Sequence, residues 1–283
     1  MSPHRISPHF AAYSFVDRIT ELEPAKRARG TFAVPAHLPA FSPCLVAEAV
    51  GQLAAWVSMA HVDFRGRPVA ALATETRFTG DAVPGRTLVL AVDIADCDEE
   101  TVAYSGAAYV DGRRIVELVD CLGPMLPVAD FDSPEALRER FALLLDGGAA
   151  PGRFGGVQLP DVTIVEHVAG VSIRATLDVP ASAPFFDDHF PRRAVFPATL
   201  LLDTQIRLAR DLARGAPWRN DAELRPVRVT NVKVRAFTLP GQRLELSVDL
   251  AAPVDGIAKA TLGARVEGRN VATARLELAT GAT

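Results

Sequence analysis

Alternating apolar and polar residues occur in two segments of similar sequence. TLVLAVDI (87–94) and RLELSVDL (243–250) each alternate with a period of two, which is typical of antiparallel strands with one buried face. An Asp-Gly pair follows the first segment in VDGR (110–113), and a Glu-Gly pair follows the second in VEGR (266–269). Both pairs predict tight hairpin turns, because such turns need a positive φ that glycine adopts readily.

Three helices are predicted from helical spacing and end signals. CLVAEAVGQLAAWVSMAHV (44–62) is apolar or small on nearly all sides, as expected for a buried helix. TLLLDTQIRLARDLARG (199–215) carries a polar stripe beside its apolar face. In SPEALRERFALLLDGG, Ser133 fits an N-cap, Pro134 the first helical position and Gly147 the end.

The chain repeats itself. VPAHLPAF (34–41) matches VPASAPFF (179–186), and VPGRTLVLAVDI (83–94) matches LPGQRLELSVDL (239–250). The spacing between the copies grows from 145 to 156 residues, which indicates one unit present twice with a deletion in its first copy. We expect units at 1–130 and 157–283, joined by the third helix and a glycine-rich connection over 131–156.

Composition narrows the class of protein. The chain has 283 residues, 49% hydrophobic and 23% charged, with a net charge of −4. These values are typical of a globular protein and give no reason to expect nucleic-acid binding. Without an uninterrupted apolar run of spanning length or an apolar N-terminal signal core, we expect no membrane segment. Three cysteines without metal-ligand spacing suggest reduced thiols, no bound metal and a cytoplasmic location.

Two acidic residues occupy equivalent places in the two long helices. Glu48 and Gln52 lie four residues apart on one helix face, with no Lys or Arg within one turn. A buried carboxyl group then stays neutral through a raised pKa, unless it meets solvent or a cation from another element. Asp203 has Arg207 four residues later, so we expect a solvated, ion-paired face there.

The segment HFPRRAVFPATLLLD (189–203) carries a family resemblance. It resembles the His-Phe-Pro motif of bacterial (3R)-hydroxyacyl-[acyl-carrier-protein] dehydratases, in which a helix bears an acid fourteen residues after the His. YSFVDRITELEPAKRARG (13–30) and SPCLVAEAVGQLAAW (42–56) are also similar to that family. The resemblance implies an α+β double hot dog, in which two antiparallel sheets each wrap around a long central helix.

The sequence departs from the family pattern at several positions. Ala194 stands where a proline is usual, and Ala198 stands where a glycine follows Pro197. In the first unit, Phe41-Ser42-Pro43 replaces the whole segment 186–197 that carries the motif. His37 aligns opposite a serine, so we interpret it as a loop residue.

In the family, the His of one hot dog meets the acid of the other. The resemblance therefore implies one site, with His189 as the base for the C2 proton and Glu48 as the acid for the departing hydroxyl. A backbone N–H at Ala198 would stabilise the thioester oxyanion. The other residues expected to bind substrate are Cys44, Gln52, Phe190 and Pro197. Trp56, Leu53 and Phe196 are tunnel candidates that could equally be plain core.

The implied activity is dehydration of a 3-hydroxyacyl thioester to a trans-2-enoyl thioester in fatty-acid or polyketide-type synthesis. No cofactor is expected beyond the phosphopantetheine that carries the substrate. The expected partner is acyl carrier protein, which Arg192 and Arg193 could contact. Asp187 and Asp188 either raise the pKa of His189 or form a solvated acidic loop.

Other interpretations stay open at this point. The chain forms a pseudo-dimer by itself, and a homodimer of chains is also possible. A hot-dog acyl thioesterase, a non-catalytic acyl-binding or scaffold module, and an acyl-CoA hydratase are the alternative functions.

Overall fold

The computed structural model describes residues 10–218 and 224–280, so most of the N-terminal segment examined for a signal core lies outside the described residues. Its helices are α1 (Pro43–His61), α2 (Pro134–Asp146), α3 (Phe185–Asp188) and α4 (Ala198–Arg214), with a 3-10 turn at Val128–Asp130. The strands are β1 (Arg18–Glu23), β2 (Arg27–Ala33), β3 (Gly66–Pro68), β4 (Leu72–Phe78), β5 (Thr87–Cys97), β6 (Thr101–Val110), β7 (Arg113–Pro127), β8 (Val162–Val168), β9 (Ser172–Asp178), β10 (Leu224–Val234), β11 (Arg243–Leu250), β12 (Ile257–Val266) and β13 (Arg269–Thr280).

The sheet is continuous through both halves of the chain. Its order is β1-β2-β5-β6-β7-β4-β10-β13-β12-β11-β9-β8, and β3 pairs with β7. The order is symmetric about its centre: strands at the same distance from its two ends occupy equivalent positions in the two repeats. The expectation of two separate sheets is wrong, because β4 and β10 pair antiparallel at the centre. Their pairing satisfies backbone groups that two separate sheets would leave exposed at their edges.

The hairpin turns follow the sequence prediction. Asp111 and Gly112 both have positive φ, at 49° and 76°, between β6 and β7. Glu267 and Gly268 have positive φ of 49° and 74° between β12 and β13. Two consecutive positive φ angles match the right-handed twist of the flanking strands, so each hairpin closes tightly.

The central helices begin and end within one residue of their predicted bounds. Ser42 caps α1 by accepting the Cys44 N–H at 3.1 Å, and Pro43 opens the helix. α1 is long and apolar enough to cross a membrane by length and composition, but more than half of that stretch is buried inside the protein. It is therefore a core helix that packs against the sheet and against α4.

The third helix and the glycine-rich connection link the two repeats. Ser133 caps α2 by accepting the Ala136 N–H, Pro134 begins the helix, and Gly147 ends it. Beyond α2, Phe154 is buried, with its ring 5.0 Å from that of Phe15. The connection is thus packed onto the core of the first repeat.

Candidate active site

A cavity of about 260 Å³ lies between the two central helices and the sheet, and its wall is mostly apolar. Residues from both repeats line it. The predicted site residues on its wall are Cys44, Glu48, Gln52, His189, Phe190 and Ala198. Pro197 is not among the lining residues; it is the N-cap of α4, directly before Ala198. The structure therefore gathers six of the seven predicted residues around one space.

His189 follows the short helix α3, and its ring is fixed by a backbone acceptor. Nδ1 lies 3.0 Å from the carbonyl oxygen of Val195. A carbonyl oxygen only accepts, so Nδ1 carries the proton and Nε2 keeps its lone pair in the neutral ring. Burial, together with the nearby guanidinium of Arg67, lowers the pKa of His189 to about 3. The imidazole is therefore neutral at neutral pH and can accept a proton, and a pKa so far below neutral makes it a weaker base than an ordinary histidine.

The acidic pair before His189 does not act as expected. Asp187 is exposed, but Asp188 is only 8% exposed. The Oδ2 atom of Asp188 accepts the backbone N–H groups of Ala12 and Tyr13, each at 2.9 Å. The expectation of a solvated loop is wrong for Asp188, and so is that of a raised His189 pKa. Asp188 instead ties the His loop to the N-terminal segment of the chain.

Glu48 accepts hydrogen bonds from both repeats. Gln52 donates through Nε2 to Oε1 at 3.0 Å, and Thr199 donates through Oγ1 to Oε2 at 2.8 Å. Gln52 is itself held by the carbonyl oxygen of Tyr13 and the N–H of Phe15. Burial raises the pKa of Glu48, while these two hydrogen bonds and the charge of Arg67 oppose the rise. The carboxyl group is thus fixed in orientation and shifted toward its protonated form.

Tyr13 connects the two predicted catalytic side chains. Its hydroxyl lies 2.7 Å from Oγ1 of Thr199, which bonds to Glu48. Its ring packs edge-on against the ring of His189, with centroids 5.4 Å apart. Sequence reasoning missed Tyr13 and Thr199 as site residues, although Tyr13 opens the quoted YSFVDR segment.

The equivalent acid of the second repeat has different neighbours. Asp203 forms an ion pair with Arg207 at 2.9 Å and accepts a hydrogen bond from Oγ of Ser42 at 2.5 Å. The predicted ion pair is confirmed, but Asp203 is only 7% exposed, so the expected solvated face is wrong. Where Glu48 has a neutral amide four residues later, Asp203 has a cation. His37 lies exposed in a turn, as predicted.

The start of α4 supplies backbone donors at the cavity. Ala198 is its first residue, and the Pro197 N-cap offers no side-chain acceptor to the first N–H groups of the helix. The N–H of Leu200 bonds to the Pro197 carbonyl oxygen at 3.1 Å. The N–H groups of Ala198 and Thr199 have no partner within the helix, so they are available to an oxyanion. Cys44 lies at the start of the facing helix α1, and burial raises the pKa of its thiol. The Cys44 thiol is therefore uncharged at neutral pH where it lines the cavity.

The remaining candidates divide between the cavity and the core. Trp56 and Phe196 line the cavity, whereas Leu53 is fully buried in the core and does not. Arg192 and Arg193 are exposed beside the His loop. Arg192 bonds to the Ala129 carbonyl oxygen, and Arg193 lies over two phenylalanine rings.

Arg67 is a cavity residue that the sequence did not indicate. It lies on the three-residue strand β3, and its guanidinium carbon is 4.5 Å from the centroid of the Phe190 ring. It is the cation from another element that could influence Glu48, and its charge does lower that pKa. A single arginine in a short strand carries no spacing signal, so only the fold reveals it.

Comparison with known proteins identifies the family of this chain. A family model described as FabA-like domain matches residues 8–119, and one described as ApeI dehydratase matches residues 165–265. The 3-hydroxyacyl-[acyl-carrier-protein] dehydratase FabZ of Tolumonas auensis is 36% identical over 106 residues, which are 37% of this chain and 70% of that protein. The chain belongs to this dehydratase family.

Solved structures show the same architecture at low sequence identity. A putative oleoyl thioesterase from Lactobacillus plantarum aligns with a TM-score of 0.61 at 11% identity, over 91% of this chain and 97% of that one. A conserved protein with a hot-dog fold from Alicyclobacillus acidocaldarius aligns with a TM-score of 0.54 at 12% identity, over 96% and 98%. Together with the mirrored strand order, these matches define a hot-dog fold present twice.

Proposed function

We propose that this chain removes water from a (3R)-3-hydroxyacyl thioester carried by acyl carrier protein, at a single site between its two repeats. The observation that carries the proposal is the joint position of His189 and Glu48 on one apolar cavity. The two residues come from different repeats, which we take to be the units at 1–130 and 157–283. The name of the Tolumonas relative supports the choice of substrate.

The reaction follows from the protonation states of the two groups. Nε2 of neutral His189 takes the C2 proton, and the C–H electron pair forms the C2–C3 double bond. The C3–O bond breaks as the carboxyl group of Glu48 gives its proton to the hydroxyl, so water leaves. Backbone N–H groups at the start of α4 stabilise the charge on the thioester oxygen. The product is a trans-2-enoyl thioester. Before the next turnover His189 gives its proton to solvent and Glu48 takes one from solvent, and hydration uses the same groups in the opposite direction.

Asp203 is excluded from this role by its neighbours. Its carboxylate is paired with Arg207, and the short loop of the first repeat brings Ser42 to it. An ion-paired carboxylate is a poor proton donor. We therefore infer one turnover site per chain, in a cytoplasmic enzyme of fatty-acid or polyketide-type synthesis.

The test offers the purified chain a 3-hydroxyacyl pantetheine thioester and, separately, a trans-2-enoyl pantetheine thioester. We expect both to reach the same equilibrium mixture without release of free thiol. Thiol release would instead identify a thioesterase, and binding without either reaction would identify a binding module. His189→Ala should lose at least about a hundredfold in rate, while His37→Ala, in its exposed loop, should retain full activity.

A further inference from the structure

Two partly buried arginines on the cavity wall share a cluster with one buried carboxylate. Arg67 and Arg140 both line the cavity, with side chains 15% and 13% exposed. Between them lies Asp132, whose side chain is 4% exposed. Two cations share one carboxylate, so the cluster has a surplus of one positive charge.

Asp132 is committed to Arg140 rather than to Arg67. Arg140 donates two hydrogen bonds to the carboxylate, at 3.0 and 2.9 Å. The Nη1 atom of Arg67 is 3.6 Å from Oδ2 of Asp132, beyond hydrogen-bond distance for this pair. Among the described residues this buried nitrogen has no hydrogen-bond partner. A buried donor without a partner is costly, and a bound ligand could satisfy it.

Arg67 lies near the reacting groups but is separate from them. Its guanidinium stacks on the ring of Phe190, and that ring contacts the ring of His189, with centroids 4.3 Å apart. Glu48 has its own donors in Thr199 and Gln52. The thioester oxygen has the backbone donors of α4. The dehydration proposed above therefore supplies no hydrogen-bond partner for Nη1 of Arg67, which has none among the described residues.

The cavity extends along α1 from Glu48 to Trp56, and Arg140 on α2 also borders it. Arg140 neighbours Phe141, whose ring stacks on that of Trp56 with centroids 6.2 Å apart. Trp56 lies eight residues beyond Glu48, which is about 12 Å along a helix. Trp56 and the two arginines border the same cavity. An acyl chain bound in this cavity therefore lies against a wall that includes both guanidinium groups.

The charge of Arg67 persists at neutral pH. Burial lowers its pKa only to about 10, partly because Asp132 and Glu48 oppose the shift. An apolar chain end would leave Nη1 of this cation desolvated without a hydrogen-bond acceptor. A carboxylate would accept charge-assisted hydrogen bonds from the planar guanidinium, which binds such groups in a bidentate manner.

We propose that Arg67 binds a carboxylate at the far end of the acyl chain, so that the site takes short ω-carboxyacyl thioesters in preference to methyl-terminated ones. This inference concerns the substrate of the proposed dehydratase and therefore rests on that function. The rest of the cavity, which is mostly apolar, contacts the methylene groups between the two ends of the chain.

Equilibrium binding tests the proposal without any chemical step. The probes are unreactive acyl-pantetheine amides, in pairs of equal length from four to eight carbons, ending in a carboxylate or a methyl group. We expect at least one carboxylate probe to bind the wild-type protein ten or more times more tightly than its methyl partner. Arg67→Met should remove this preference, and Arg67→Lys should retain part of it. Arg65→Met is the matched control, because Arg65 is 67% exposed in an ion pair with Glu99.

The outcomes separate this proposal from the function on which it rests. Equal affinity for both probe types in the wild-type protein would overturn it. So would an equal loss of affinity for both types in Arg67→Met, because the guanidinium would then act on the pantetheine end or on the fold. If Arg67→Met does not fold, the Arg67→Lys variant and the wild-type preference still decide. Failure of the dehydratase function appears separately, as absence of turnover with every 3-hydroxyacyl thioester.

Discussion

Replacement of each helix acid by its amide gives the sharpest test of a single site. In Glu48→Gln, the new amide oxygen can accept from Gln52, and the new amide nitrogen can donate to Oγ1 of Thr199. Both hydrogen bonds observed at Glu48 then persist: the one from Gln52 is unchanged, and the one with Thr199 exchanges its donor and acceptor. We therefore expect the free energy of unfolding to stay within about 1 kcal/mol of the wild-type value.

The same substitution removes the proton that the departing hydroxyl needs. General acid catalysis contributes about a hundredfold to ten-thousandfold in rate, which corresponds to about 2.7 to 5.4 kcal/mol of barrier. We expect kcat to fall by that factor for dehydration of a 3-hydroxyacyl pantetheine thioester, and equally for hydration of the enoyl product. The measurement is initial rate in both directions, with chemical denaturation of the same preparation.

Asp203→Asn is the matched control, because it makes the same change at the equivalent helix position. Ser42 can still donate to the new amide oxygen, and Arg207 is 59% exposed and can be solvated. The lost ion pair should cost no more than about 1 kcal/mol, and activity should be unchanged. Equal losses of activity in the two variants, or no loss in Glu48→Gln, would refute the assignment of one site to the Glu48 side.

Three further predictions concern the positioning of groups around the cavity. Thr199→Val should raise the pKa of Glu48 by removing a donor to the carboxylate. It should therefore lower kcat about tenfold and shift the alkaline limb of the pH–rate profile to higher pH. Thr199→Ser should restore kcat and the position of that limb, and an unshifted limb in Thr199→Val would contradict this role. Because the folded pKa of His189 is about 3, below the ordinary value of about 6.5, nitrogen NMR should show a neutral ring protonated at Nδ1 from pH 7 to 5. Between those two pKa values the unfolded chain binds more protons than the folded one. The free energy of unfolding should therefore fall, through this histidine, as the pH drops below about 6.5. Protonation of the folded protein's ring near pH 6.5 would disprove the shift. Gly123→Ala should destabilise the fold by about 1 to 3 kcal/mol, because a Cβ there would lie 2.3 Å from a backbone oxygen. The control is Gly147→Ala, whose Cβ would have no other atom within 4 Å. Thermal denaturation should show a loss of stability for the first variant and no change for the second.

Local signals were enough to predict the three long helices, two of the strands and two hairpin turns. Period-two alternation located β11 at its observed bounds, and cap residues located the ends of α2. These features depend on neighbours within a few residues, which a sequence displays directly. The pairing of β4 with β10 depends on strands far apart in the chain, and neither strand carries a mark that distinguishes a central position from an edge.

The site was predictable where a helix face or a motif defined it. Glu48 and Gln52 were predicted to share a helix face by their spacing, and they form a hydrogen bond across that face. Asp188 was misjudged, because an acid in a polar loop looks solvated until the fold brings two backbone N–H groups to it. Thr199 and Arg67 reach the cavity through tertiary contacts alone, and their side chains belong to types that are mostly exposed.

The central seam between β4 and β10 joins parts of one covalent chain. In an enzyme assembled from two separate subunits, a shared catalytic centre is lost on dilution, because dissociation competes with association. Here the partners stay at a high effective concentration fixed by the connection between them. Specific activity should therefore be constant down to the lowest protein concentrations. A mutation in one repeat does not alter the sequence of the other repeat, as it would in a dimer of identical subunits. The two repeats can therefore acquire different roles.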